Sequence, residues 1–290
     1  MTRRAGLIAR HTLPDALAAL AEAAAWLDRH GWTPVVERES ADGAGLSDRV
    51  PTVSREAIGR GVDLVIAFGG DGTLLSAAAA IAQSPDDPPI LGVNLGRLGF
   101  LTEIGRGELA EALDAFAAGR CATETRLVVV GRVVRAGRPV AERLALNDIV
   151  VTRSALSRML ELDVVVDGQA VCHVKADGLI VATATGSTAY NLSAGGPIVH
   201  PSVDALVLTP IAPHTLTNRP LVLPAAAAIT LRPILEPQSD VVLTFDGQYG
   251  VPLEAGDLVE IARAPRVVRL VRVTRRTHFD MLREKLKWGD

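Results

Sequence analysis

The sequence predicts two domains: an α/β domain built on a parallel sheet, then an all-β domain of sandwich type. Three observations predict this. Residues 1–122 alternate apolar runs with stretches of helical periodicity. Residues 123–275 string short β-rich runs between turn signals, with few helical patterns. The 290 residues are 48% hydrophobic and 22% charged, which is core material for one large domain or two ordinary ones.

The elements follow in order. AGLIA (5–9) is a short apolar run. Pro14 to His30 carries Leu17, Leu20, Ala24 and Leu27 at helical spacing, and Gly31 follows as the residue that ends the helix. TPVVE (33–37) is a second strand, 40–49 a loop, and 53–59 a short helix. VDLVIAF (62–68) is a buried strand, a helix runs from Thr73 to about Ala82, PILGVN (89–94) is a strand and Gly107 to Ala118 a helix. In the second domain, runs such as RLVVVGRVVR, LELDVVVDGQAV, GLIVATA and DVVLTFDGQ alternate with turns, among them Asp167-Gly168 and Asp246-Gly247. The tail FDMLREKLKW (279–288) reads as an amphipathic helix, and residues 276–290 are expected to pack back on the first domain.

Composition excludes several classes. A net charge of −3 leaves no basic footprint for nucleic acid, and 3% aromatic content argues against a stacking platform for single strands. The two cysteines, Cys121 and Cys172, form no CxxC pair and too small a set for a disulfide framework, so reduced thiols in a cytoplasm are expected. MTRRAGLIARHTLPD has no apolar run long enough for a signal peptide, and the uncharged stretch 178–203 is too rich in Thr, Ser, Gly, Asn, His and Pro to span a membrane.

The chemistry begins at "VDLVIAFGGDGTLLSAA" (62–78). A strand, a glycine-rich turn and a helix start together make a phosphate cradle. Gly69, Gly70 and Gly72 permit close backbone approach, Thr73 is placed to cap the helix, and the helix N-terminus presents N–H groups to an anion. Neither the Walker pattern nor GxGxxG is present; Leu75 stands where the third glycine of the latter belongs. Asp71 should repel a phosphate unless Mg²⁺ or a hydroxyl nucleophile lies between them. A hydroxyl that donates its hydrogen bond to the carboxylate while its oxygen faces phosphorus is the arrangement for phosphoryl transfer to an alcohol. By spacing alone GGDG also fits an ordinary turn with Asp71 as the helix N-cap, the less favoured of the two readings. The loop resembles that of NAD kinases, of lipid kinases of the diacylglycerol and sphingosine type and, more loosely, of phosphofructokinases.

A second stretch chooses among them. "DGLIVATATGSTAYNLSAGGPIVHP" (177–201) is a strand, a turn at Thr185-Gly186 and a capped helix start at 187–190, ended by Gly195-Gly196-Pro197. It misses the nucleophile elbow GxSxG at the first position, and the six histidines form no HExxH-like pair. The stretch closely resembles the NAD kinase signature DGLxxxTxTGSTAYxxSxGGP. NLGRLGFL (94–101), Asn147-Asp148, PHTLTNRPLV (213–222) and Asp246-Gly247-Gln248 match further motifs of that family in order. The resemblance implies a Rossmann-like N-terminal domain, a β-sandwich C-terminal domain, and ATP- and Mg²⁺-dependent phosphorylation of the adenosine-ribose 2′-hydroxyl of NAD. It also implies a homodimer or homotetramer.

Residue roles follow from the same resemblance. Asp71 is the general base or orienting carboxylate, with Gly72 beside it. Asn147 and Asp148 read a base edge or ribose hydroxyls; the family often carries Glu where this chain has the shorter Asp148. Arg158 and Lys175 line the dinucleotide site, and Asp177 accepts from a ribose or base amine. Thr188, Ala189, Tyr190, Asn191, Leu192 and Ser193 wall the base and ribose, and Ala212 and Gln248 join by motif position. His214 and Arg219 either stabilise phosphate charge or serve the fold. No metal ligand is expected from the chain itself, since Mg²⁺ comes with the ATP phosphates. A lipid kinase sharing only GGDG, and a non-catalytic dinucleotide sensor, are the competing readings; Asp71 speaks against the sensor, because a mere binder would gain from a neutral residue there.

Overall fold

Every parallel strand needs a crossover, and the first part of the chain supplies them. The structure, a computed structural model, describes residues 2–96, 99–153, 159–215, 217–235, 240–274 and 276–287. The chain divides into two compact units, Met1–Thr125 with Val268–Asp290, and Arg126–Val267.

In the first unit the order is β1 (Arg4–Ala9), α1 (Pro14–Arg29), β2 (Thr33–Glu37), α2 (Arg38–Ala44), β3 (Thr52–Val53), β4 (Leu64–Gly69), α3 (Asp71–Ala82), β5 (Ile90–Asn94), β6 (Ile104–Gly105) and α4 (Leu109–Ala117). The sheet runs β5-β4-β1-β2-β3, and every pairing in it is parallel. The chain proceeds outward from β1 to β3, then returns to the other side of β1 for β4. Strand order therefore reverses between β1 and β4, the switch point outside whose carboxyl ends α/β sheets bind ligands. The core holds Leu7, Leu20, Leu27, Leu64, Ile66, Phe68 and Leu91, all 1% exposed or less. Each such side chain contributes about 1.5–3 kcal/mol on burial.

Two local expectations are corrected here. Residues 40–49 are not all loop: α2 forms because the Glu37 carboxylate accepts from the Ser40 N–H at 2.9 Å, and Gly45 ends the helix at φ 67°. The expected helix at 53–59 is only a three-residue 3₁₀ turn, Arg55–Ala57.

The second unit begins within β7 (Ala122–Arg135) and continues through β8 (Arg138–Ala145), β9 (Asp148–Arg153), β10 (Leu160–Val166), β11 (Gln169–Ala176), β12 (Gly178–Thr183), the one-turn helix α5 (Tyr190–Ser193), β13 (Ala205–Ile211), β14 (Leu221–Pro224), β15 (Ile229–Ile234), β16 (Val241–Phe245), β17 (Tyr249–Pro252) and β18 (Leu258–Arg272). One antiparallel sheet runs β14-β13-β12-β9-β16-β17. In the other, β11, β10, β15 and β18 pair successively, again antiparallel. Leu162, Val164 and Leu231 of the latter pack with Ile149, Val151, Leu179 and Leu243 of the former in a shared core, so the unit is a sandwich. The hairpin turns at Asp167-Gly168 and Asp246-Gly247 have positive φ at both residues, as two-residue hairpins with this twist require.

β12 is buried at every position. Its second face, with Ile180 and Ala182, is covered by a small cluster that includes Ala194 and Val199. The segment after β12 is thereby folded back over the sheet.

Residues 278–286 form α6 (His278–Leu286), with Met281 and Leu282 buried. Its compact unit is the first one. Among the described residues no helix is long and apolar enough to cross a membrane.

Candidate functional site

Candidate residues lie in each of the two units. In the first, β4 delivers the glycine loop to the carboxyl edge of the sheet at the switch point. A Cβ on Gly69 would lie 2.3 Å from Thr73 Oγ1, so only glycine lets the chain turn there. Gly70, not Thr73, is the N-cap: the N–H groups of Thr73 and Leu74 donate to its carbonyl at 3.0 and 3.3 Å. Helix α3 thus begins at Asp71 rather than Thr73. Asp71 does not cap it, and the positive end of the helix favours a negative charge at this position.

The Asp71 carboxylate is held from outside its own helix. Its Oδ2 accepts from the N–H of Phe100 at 2.7 Å. Its Oδ1 accepts from the N–H groups of Leu101 and Thr102 at 3.0 and 3.2 Å and from the Thr102 hydroxyl at 3.4 Å. Gly99 makes room for this: a Cβ there would fall 1.7 Å from Asp71 Oδ1. The half-buried carboxylate is therefore fixed in direction by three successive amides, and among the described residues Oδ2 carries a single bond. Glu103 anchors the far end of that loop. Buried at 3% exposure, it accepts from the N–H groups of Val273 and Thr274 and pairs with Arg272 at 2.5 Å.

In the second unit the structure brings three sequence motifs together. Asn147 and Asp148 lie where β8 gives way to β9. The Asp246 carboxylate accepts from the N–H groups of Leu146, Asn147 and Asp148 at 2.9, 2.7 and 3.1 Å. Gly186 of the TGSTAY stretch packs on the Asn147 carbonyl, and a Cβ on it would meet that oxygen at 2.0 Å. Asp148 is 5% exposed, and burial together with the neighbouring Asp246 carboxylate pushes its carboxyl up to about 7. Burial also raises Asp246, against the pull of its three amides.

The TGSTAY stretch is a 3₁₀ turn, Thr185–Thr188, followed by α5, rather than one capped helix. The Ser187 hydroxyl is buried and donates toward the carbonyls of Ala184 and Val199. Asn191 is fully buried; its amide donates to Ser187 and Pro197 carbonyls at 2.9 and 3.0 Å and accepts from the Thr209 hydroxyl at 2.6 Å. Its side chain is thus engaged within the fold. Thr188, Ala189 and Leu192 are half-buried, Ser193 is exposed, and Tyr190 is 46% exposed. Gln248 is exposed just past the Asp246 turn, and Ala212 is exposed at φ 44°.

Other expected residues are already engaged. Lys175 pairs with Glu161 at 2.8 Å, and Asp177 with Arg153 at 2.6 Å. His214 and Arg219 are exposed; the His214 N–H donates to the Lys175 carbonyl, and the Arg219 guanidinium to the Asn218 carbonyl. Arg158 lies outside the described residues. No group of three or more His, Cys, Asp or Glu among the described residues is arranged to hold a metal ion.

Gly99, Thr102, Gly186 and Asp246 were not among the residues expected at the site. The signal for Gly99 was NLGRLGFL itself, whose glycines mark a loop that something approaches closely; Thr102 is the next residue but one after Phe100 in the same loop.

Two family models cover most of the chain: the ATP-NAD kinase N-terminal domain matches residues 6–121, and the ATP-NAD kinase C-terminal domain residues 146–273. The chain belongs to the ATP-NAD kinase family. It is 44% identical over 288 residues to the NAD kinase of Syntrophotalea carbinolica, covering 99% of both chains. It is 45% identical over 265 residues to that of Geotalea daltonii, covering 91% of both. Among solved structures it resembles yeast NADH kinase complexed with NADH (TM-score 0.89, 25% identity, covering all of this chain and 88% of that one). It also resembles an NAD kinase from Archaeoglobus fulgidus in complex with ATP (TM-score 0.73, 25% identity, 98% of both). The mixed α/β first unit and antiparallel β second unit are those of the ATP-NAD kinase domains.

Proposed function

We propose that the chain transfers the terminal phosphoryl group of ATP to the adenosine-ribose 2′-hydroxyl of NAD, giving NADP and ADP. Family membership supports the reaction, and the fastening of Asp71 by the amides of residues 100–102 carries its role. A carboxylate held this firmly receives the hydroxyl's hydrogen bond on Oδ2 and orients its oxygen toward phosphorus. The hydroxyl oxygen forms the new bond to phosphorus. The bond from that phosphorus to the β–γ bridging oxygen breaks, and ADP leaves with the electron pair. The hydroxyl proton passes to Asp71 and on to solvent. Because phosphoryl transfer proceeds through a loose transition state, orientation outweighs proton removal. Mg²⁺ enters with the triphosphate, whose charge it offsets.

Gly69, Gly70, Gly72 and Thr73 serve the phosphates. Asn147 and Asp148 read the nucleotide's polar edges, with Thr188, Ala189, Leu192, Ser193, Ala212 and Gln248 around them, and the exposed Tyr190 ring packs against a base. Lys175 and Asp177 serve the dinucleotide by exchanging their present ion pairs for contacts to it. We infer also a cytoplasmic homodimer or homotetramer; sedimentation as a monomer would refute the assembly.

Incubation with ATP, Mg²⁺ and NAD, followed by an assay for NADP, tests the reaction: a lipid kinase makes none, and a sensor binds NAD without turnover. Asp71→Asn is expected to lower kcat by ~10²–10⁴-fold. Near wild-type turnover in that variant would defeat the role given to Asp71.

A further inference from the structure

We propose that Thr183 and Asp246 are positioning residues that together lock the backbone of residues 146–148 and so aim the Asn147 and Asp148 side chains at the nucleotide. The inference rests on the proposed role of Asn147 and Asp148 as nucleotide readers.

All six backbone polar groups of the three residues are taken, and two residues take them. The three N–H groups donate to the Asp246 carboxylate, Leu146 to Oδ2 and both Asn147 and Asp148 to Oδ1. The Thr183 hydroxyl donates to the Leu146 carbonyl at 2.6 Å, and the Thr183 N–H to the Asn147 carbonyl at 2.8 Å. The Asp246 N–H donates to the Asp148 carbonyl at 2.9 Å.

A strand obtains such bonds from its neighbours in alternation, each neighbour serving every second residue. Here side chains supply four of the six bonds, and the backbone N–H groups of Thr183 and Asp246 supply the other two. Asp246 sits at the tip of the β16–β17 hairpin with φ 51°, so its own N–H and its carboxylate both face the same three residues. Thr183 is the last residue of β12 and is fully buried. Its hydroxyl also accepts from the Gly186 N–H at 3.1 Å. One oxygen therefore ties Leu146 to the first turn of the TGSTAY stretch.

Asp148 opens β9 in register with Ala182 of β12, and Leu146 and Asn147, which lie between β8 and β9, are held by these bonds. The side chains of Asn147 and Asp148 are left to the ligand: Asp148 is buried, and no hydrogen-bond partner to its carboxylate is found among the described residues. Fixed backbone and unengaged side-chain atoms make a preorganised reader, which loses little entropy on binding.

The test compares Thr183→Val, Thr183→Ser and Asp246→Asn with Asn147→Ala in the full-length protein. Valine keeps the shape of threonine and removes the hydroxyl; serine keeps the hydroxyl. Asparagine tolerates the left-handed turn but turns an NH₂ toward a backbone N–H. Steady-state kinetics with NAD and ATP are read beside hydrogen–deuterium exchange at residues 146–148. Thr183→Val and Asp246→Asn are expected to raise KM for NAD roughly 10–100-fold, the scale of an ångström-sized misplacement. KM for ATP is expected to stay unchanged, amide exchange to accelerate, and Thr183→Ser to match wild type. If either of the first two variants fails to fold, the other decides.

Folded variants with wild-type KM for NAD and wild-type exchange, beside an Asn147→Ala enzyme with raised KM, would overturn the clamp and leave the proposed function standing. A Thr183→Ser enzyme as impaired as Thr183→Val would overturn it too. An unchanged KM for NAD in Asn147→Ala would remove the role of Asn147 as a reader, and the inference with it.

Discussion

Replacing Asp148 by asparagine should stabilise the ligand-free protein, and should do so only above the acidic range. The carboxyl of Asp148 rises from an ordinary value of 3.8 to about 7, first because it is buried and second because the Asp246 carboxylate faces it. At about 1.4 kcal/mol per pH unit, the charged form costs the native state at most ~4 kcal/mol. The direction follows from proton counting. Between 3.8 and about 7 the native state binds more protons at this site than the unfolded chain does, so stability falls as pH rises through that window and levels off above it. The substituted amide cannot ionise and carries none of this dependence. Urea denaturation of both proteins without nucleotide, repeated from pH 5 to pH 8, should show the variant gaining on wild type by ~3 kcal/mol across the series. Ligand groups that donate to Asp148 favour its ionised form, so saturating NAD should flatten the wild-type curve. Parallel curves for the two proteins between pH 5 and pH 8 would refute the burial of an unpaired carboxyl at this position.

Gly99→Ala should cost activity more than stability, because its Cβ collides with Asp71 Oδ1 and pushes the carboxylate off line; a folded variant with kcat reduced by ~10²-fold is expected, and full activity would show that the loop is not what aims Asp71. Asn191→Ala leaves the Thr209 hydroxyl and two carbonyls without partners in a buried place, so a loss of about 3 kcal/mol by chemical denaturation is expected; a loss below the error of the measurement would contradict it. Glu103→Gln strips a buried charge from opposite Arg272 and should destabilise the protein by about 3 kcal/mol, read as a lowered melting temperature; an unchanged melting temperature would mean that the pair carries no weight.

Asp71 and Asp246 shed light on each other. Both carboxylates accept from three consecutive backbone N–H groups of a distant loop, residues 100–102 in one case and 146–148 in the other. Nothing local distinguishes them from ordinary turn aspartates: one opens a helix and the other begins a two-residue hairpin turn. The apolar runs of β1, β4 and β12 and the Asp-Gly turns could be read directly, because burial and positive φ leave a mark on residue type within a few positions. The helix at 38–44 could not, because it depends on the Glu37 carboxylate reaching the Ser40 amide. Nor could its neighbour at 53–59, where helical spacing promised more than a single 3₁₀ turn.

By itself the sequence determined the two-domain character, the family and the identity of the acidic residue in the glycine loop, since each is written in patterns of neighbouring residues. Only the tertiary structure decided that Gly99 yields space to Asp71, that Asn191 and Ser187 turn inward, and that two aspartates share the ground around Asn147. The hydrogen bonds that fasten Asp71 and Asp246 join residues 29 to 100 positions apart. No local pattern encodes such a meeting, because it exists only once the sheets have brought the loops together.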